Sequence, residues 1–179
     1  PADEITVRDA NLGYFEQGRY EEALDAFTQA LELRQALGDR RGIASSLQSI
    51  GLSHQQQARY DEALGFHRRA LAIREELGDQ RGIADTLQHI AGLQLTMERP
   101  AEALASSERA LELADATGEG MLRRDILELQ SRIHERQGRF AEALEAHRRF
   151  KAAYDALINA ESQGAIAELQ AQYRTREQA

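Results

Sequence analysis

The chain has 179 residues, 42% hydrophobic and 29% charged, a balance that belongs to folded water-soluble domains and excludes disorder. Asp and Glu outnumber Lys and Arg by 30 to 22, and a net charge of -8 repels phosphate backbones, so nucleic acid is not expected as a partner. There is no cysteine for a disulfide or thiolate metal site, and no apolar run nears the roughly 20 residues that span a bilayer, so membrane insertion is not expected either.

Ala, Leu, Glu, Gln and Arg dominate while Val, Ile and Thr are sparse, which favours an all-α fold. In chain order, Gly18 suits a tight reversal. Tyr20, Ala23, Leu24, Phe27, Ala30, Leu31 and Leu37 then follow helical spacing along one face. Gly38 is placed to end that helix in the left-handed region, and Asp39 to cap the next. Ile43, Leu47, Ile50 and His54 mark this second helix, which ends near Ala58-Arg59. Tyr60 opens another, and the scheme starts again: Gly78-Asp79-Gln80-Arg81-Gly82-Ile83-Ala84 echoes Gly38-Asp39-Arg40-Arg41-Gly42-Ile43-Ala44. The third copy enters through Glu98-Arg99-Pro100, with proline in a first helical turn where its missing N–H is harmless. A weaker turn at Gly118-Glu119, then Gly138 and Phe140, introduce the last copy.

The period is 40 residues. Ala23-Leu24, Ala63-Leu64, Ala103-Leu104 and Ala143-Leu144 mark it, each preceded by Glu22, Glu62, Glu102 or Glu142. One amphipathic hairpin cannot bury its own apolar face, so repeats of this kind stack, and four fit the length. The expected units are about 3–38, 39–78, 79–118 and 119–157, with a separate C-terminal helix at 158–179. The small alanines would let paired helices approach closely, and Leu31, Leu71 and Leu111 would fill the space between units. Lys151 stands where those leucines stood and would blunt end-to-end stacking. The chain starts at Pro1-Ala2-Asp3 and stops within helical pattern at Arg176-Glu177-Gln178-Ala179, as expected of a piece of something longer.

Residues 3–157 resemble the tetratricopeptide repeat family. Copy one offers Tyr14, Gly18, Tyr20, Ala23, Phe27 and Ala30; copy two Leu47, Gly51, Tyr60, Ala63 and Ala70, with His67 in the Phe slot. Copy three keeps Ala91, Ala103 and Ala110 but has Ser107 for Phe; copy four keeps Gly138, Phe140 and Ala143, with His147 for Phe and Phe150 for Ala. Gly-Asp replaces the family's closing proline, and 40 residues replace the commoner period of about 34. That longer period resembles kinesin light chain, cell-polarity adaptors and the sensory regions of bacterial signalling proteins. The resemblance implies a right-handed superhelical solenoid of four helix-turn-helix repeats with a C-terminal capping helix. It also implies a concave groove for a protein or peptide, lined by Arg8, Leu12 and Phe15, then Ser45, Gln48, Leu52 and Gln55, then Asp85, Gln88 and Leu95, then Asp125, Glu128, Arg132 and Glu135. Gln48 and Gln88 would form an amide ladder able to pair with a peptide backbone.

Phe150 to Tyr154 and Ile166-Ala167-Glu168-Leu169-Gln170-Ala171-Gln172-Tyr173 resemble the helix that follows the last repeat in bacterial sensor kinases and GGDEF-type diguanylate cyclases, where it leads to an output module. Ile166, Leu169 and Tyr173 have coiled-coil spacing, so this helix either caps copy four or pairs two chains as a homodimer.

Catalysis is not expected. There is no phosphate loop, no Gly-x-Ser-x-Gly elbow and no His-Glu-x-x-His. His54 and His134 share one register and His67 and His147 another, so the two members within a hairpin would approach each other. Two histidines fall short of the three or four ligands of a metal site, and the plainer expectation is a polar substitute for the aromatic, hydrogen-bonded within its hairpin. No metal or cofactor is expected. The expected role is a non-catalytic, partner-binding regulatory module of a bacterial signal-transduction protein, in the cytoplasm or, alternatively, in an extracytoplasmic sensor region. The other reading is a free-standing adaptor that scaffolds a protein complex.

Overall fold

The computed structural model describes residues 13–177, with side chains as far as residue 163. Helix α1 enters the described region at residues 13–16. It is followed by α2 (Tyr20–Leu37), α3 (Arg40–Gln56), α4 (Tyr60–Leu77), α5 (Gln80–Thr96), α6 (Pro100–Thr117), α7 (Gly120–Arg136) and α8 (Phe140–Glu177). No strand occurs among the described residues. Each helix from α2 onward packs on its sequence neighbours, and α5 also reaches α7, which is the contact pattern of an open array and not of a closed bundle.

Two kinds of turn alternate. At the first, Gly38, Gly78 and Gly118 end α2, α4 and α6 with φ of 70°, 65° and 70°. Asp39 then accepts a hydrogen bond from the Gly42 N–H (2.9 Å), and Asp79 from the Gly82 N–H (3.0 Å), which caps α3 and α5. A Cβ at position 42 or 82 would run into the capping carboxylate and into Cδ of Arg34 or Arg74, 2.7 or 2.8 Å away. The recurring Gly-Asp-x-Arg-Gly is therefore a folding device. Over the cap lies an arginine latch: Arg34 Nη1 donates to the Gly42 carbonyl (3.1 Å) and to Ser46 Oγ (2.6 Å). Arg74 Nη1 repeats this on the Gly82 carbonyl (2.8 Å) and the Thr86 hydroxyl. At the third turn Ala114, Leu122 and Ile126 occupy the latch registers, Glu119 makes no side-chain cap bond, and the joint closes by apolar contact instead. Arg74→Ala is expected to cost about 2 kcal/mol, because a charged donor to two partly buried acceptors is lost. A thermal melt should show it as a fall of roughly 4–8 °C.

At the second kind of turn, Gly18 and Gly138 have φ of 74° and 70°, but Ala58 and Glu98 adopt the same left-handed conformation at 59° and 58°. A Cβ is strained there. Glu98→Gly is expected to raise stability by about 0.5–1 kcal/mol, the strain relieved exceeding the entropy glycine adds to the unfolded chain. Equilibrium urea unfolding should show a higher midpoint at unchanged slope.

Ala23, Ala63 and Ala103 are wholly buried and Ala143 nearly so, so the alanines do permit close helix approach. Leu31 and Leu111 are buried, and half-buried Leu71 bridges two apolar clusters. Phe150 packs on the cluster that holds Ile126 and Leu127.

Two expectations are corrected. Leu37 is exposed, because it is the last residue of α2 and the chain turns away at Gly38. Residues 158–177 do not form a separate helix: α8 runs unbroken from Phe140 to Glu177. Ile158 falls in the register of Gly38, Gly78 and Gly118, and an isoleucine disfavours the left-handed cap, so the helix continues. The side chains of Ile166, Leu169 and Tyr173 lie outside the described ones.

Candidate partner-binding groove

Helices α3, α5 and α7 begin at equivalent positions of the period and carry the predicted groove residues on corresponding turns. Arg8 and Leu12 lie outside the described residues. Phe15 meets Tyr20 edge-on at 5.4 Å and is committed to the first hairpin. Ser45 is exposed and its hydroxyl donates to the Arg41 carbonyl (3.2 Å). Leu52 is half-buried and Glu135 exposed. Gln55, Gln88, Asp125, Glu128 and Arg132 do come together, around an open recess of about 290 Å³. Gln88, Asp85 and Asp125 also border a larger recess of about 650 Å³ between α5 and α7, with Arg74 and Arg81.

Two of the expected groove features fail. Leu95 is buried among Ala91, Ala103, Leu129 and Ile133, because the following α7 covers the end of α5. The Gln48–Gln88 ladder does not form: Gln48 Nε2 donates to Asp85 Oδ2 (2.7 Å), one repeat further along the array.

The floor of the groove is a charge mosaic. Asp85, already holding Gln48, lies 3.6 Å from Arg74; Arg81 pairs with Glu119 at 3.2 Å and Arg124 with Asp125 at 2.5 Å. Glu128 and Arg132 make no ion pair among the described residues, and the Oε1 atoms of Gln48 and Gln55 are buried without a donor. The recesses therefore offer two free side-chain charges and the Gln88 amide to an incoming segment. Sequence reasoning missed Arg74, Arg81 and Glu119. The repeat of Arg34 at Arg74 was the available signal.

The histidines meet differently from expectation. His54 stacks on Phe66 (5.2 Å between ring centres, 10°), and His67 stacks on His89 of the next repeat (5.5 Å, 8°). His67 is fully buried against Gly51, where a Cβ would stand 2.9 Å from its ring, and neither ring nitrogen has a hydrogen-bond partner. The expected hydrogen bond within the hairpin is absent. Burial, reinforced by His89, holds His67 down at about 3. Burial likewise lowers His89 and His54 from the usual imidazole range. Parallel rings aim their in-plane lone pairs side by side, so His67 and His89 do not converge on one ion. No group of three or more His, Asp or Glu able to hold a metal occurs among the described residues.

A line of two-helix units, each buried only by its neighbours, defines a helical-repeat protein. The tetratricopeptide repeat family model matches residues 11–76. A second model, polymerase A arginine-rich C-terminus, matches residues 119–179, a segment with ten Lys and Arg against ten Asp and Glu and hence no net positive charge. No curated protein matches the chain. Among solved structures it is similar to BtubC (BKLC) from P. vanneervenii, with 18% identity and a TM-score of 0.76 over 83% of this chain and 61% of that one. It is also similar to aspartyl phosphate phosphatase F from Bacillus subtilis, with 15% identity and a TM-score of 0.83 over 87% of this chain but only 41% of that one. A third is a Podosopora anserina putative kinesin light chain with nearly identical TPR-like repeats, at 16% identity and a TM-score of 0.72 over 85% and 75%. These likenesses establish the helical solenoid, and with the 40-residue period and the matched model they support the tetratricopeptide family. That fold generally serves as a non-catalytic protein-binding scaffold. Among the described residues no helix is long and apolar enough to cross a membrane.

Proposed function

We propose that the chain is a non-catalytic regulatory module that receives a protein or peptide segment along α3, α5 and α7 and passes the event through α8 to an output domain of a bacterial signalling protein. The observation that carries the groove is the joined pair of recesses at Gln88, where a bound segment would touch two successive repeats at once. Such a ligand stiffens the stacking angle between repeats, and α8, continuous over 38 residues, moves with the last of them. The alternative, a free-standing adaptor, places binding on the exposed Arg68-Arg69 pair of the outer helix α4.

Selection from a displayed peptide library distinguishes the two. For the groove, Gln88→Ala should weaken the selected peptides several-fold and leave the melting temperature unchanged, while Arg68→Ala with Arg69→Ala leaves binding intact. The reverse pattern favours the adaptor. A reading frame that closes soon after Ala179 would contradict the output domain.

A further inference from the structure

The outer face of α8 is where the array stops burying itself. In each earlier copy the second helix presents a leucine to the first helix of the next unit. Leu24 packs with Leu47 and Ile50, Leu64 with Ile90 and Leu93, and Leu104 with Leu129 and Ile133. Leu64 is 3% exposed as a result, whereas Leu144, in the same register on α8, is 52% exposed, with Phe140 at 71% beside it. Tyr154 and Ile158 extend the exposed stripe at helical spacing.

The centre of the stripe departs from the earlier copies. Lys151 replaces Leu31, Leu71 and Leu111, of which Leu111 shares a buried cluster with Leu127 of the covering helix. An apolar residue laid over Lys151 would strand a buried cation, which is strongly unfavourable. Lys151 makes no ion pair among the described residues, whereas Arg148 and Arg139 do, with Glu145 and Glu142. A second copy of α8 crossing at this point would set Lys151 against its own counterpart, which charge disfavours.

The geometry points to an acidic amphipathic helix of a partner protein as the occupant. It seats on α8 as the first helix of a further repeat would, its Ile or Leu pair over Phe140 and Leu144 and a carboxylate over Lys151. The mould comes from the α6–α7 interface: the covering helix has Leu129 and Ile133 over the leucine and Leu127 at the level of the lysine. Exchanging that leucine for an acid converts an internal stacking helix into a ligand for this end face. The site is separate from the groove on α3, α5 and α7.

The probe is a fluorescein-labelled 17-residue peptide with the sequence of α7, Gly120–Arg136, carrying Leu127→Glu, titrated into the whole chain and followed by anisotropy. The unsubstituted peptide and one with Leu127→Lys are the comparisons. The acidic peptide should bind about tenfold or more tightly than either. Lys151→Leu in the protein should reverse the preference toward the unsubstituted peptide, and Leu144→Glu should abolish binding of both. Leu144 and Lys151 are exposed, so these variants should keep the parent melting curve, which circular dichroism checks. Absence of binding by the acidic peptide, a preference that Lys151→Leu leaves unchanged, or binding that survives Leu144→Glu would each overturn the proposal. So would sedimentation showing the free chain to be a dimer that Leu144→Glu dissociates, since a second copy would then own the face.

Discussion

Acidification from pH 7 to pH 4 should destabilise the array by about 3 kcal/mol through His67 alone. The ring is fully buried, and burial, then the adjacent His89 and Arg74, disfavour its cation, while Asp85 favours it without prevailing; the balance leaves His67 at about 3. An unfolded chain restores the ordinary value of about 6.5. Between those two values the unfolded state binds one proton more than the folded state, so stability falls as pH falls. Above about 6.5 neither state is protonated and the contribution of His67 is complete and flat. His89 and His54 are also lowered by burial and act in the same direction. The test is equilibrium urea unfolding at intervals between pH 7 and 4 for the parent and for His67→Phe. Phenylalanine is the residue of the same register in the first copy, at Phe27, and it has neither a proton to gain nor an unpaired ring nitrogen to bury. The variant should lose about one proton from the pH dependence and gain about 1–3 kcal/mol at pH 7. An unchanged slope would mean that His67 is not the group whose protonation opposes folding.

His67 also shows where sequence reading stops. A 40-residue period with leucines and alanines at helical spacing assigns each residue to a helix and a face, and Gly-Asp at the first two joints predicts a cap that does form. It does not give the stagger between one repeat and the next. His67 was expected to meet His54 across its own hairpin, yet it meets His89 of the following helix. The same stagger takes Gln48 away from Gln88 and gives it to Asp85, and lets α7 cover Leu95. Local chemistry that was visible but unread accounts for the rest. Arg34 and Arg74 recur at the period of the latch they form, and Ile158 in the register of three glycines announces that α8 will not stop there. Gln55, Gln88, Asp125, Glu128 and Arg132, which border one recess, are residues whose helix face alone decides their position.

Ala63→Trp should cost about 3 kcal/mol or more, seen as a fall in melting temperature of at least roughly 6–12 °C. Ala63 is wholly buried, and Leu64, Ile90 and Leu93 share its cluster, with Tyr60, Leu71 and Met97 packed against them. An indole there has no void to enter. It can only push α4 away from the helices on either side, and because α4 is an interior element both of its interfaces open. In an array stabilised by contacts between neighbours, that loss falls on two joints at once. Ala101→Trp is the matched control: Ala101 is exposed on the first turn of α6, so the same side chain should change stability by no more than about 0.5 kcal/mol. A normal melt for Ala63→Trp would mean that α4 stands further from its neighbours than the alanine register requires. The stacking that creates the groove would then need another explanation. Collapse of Ala63→Trp beside a normal Ala101→Trp would show that the small residue at each 40-residue mark, and not helix propensity, sets the spacing of the solenoid.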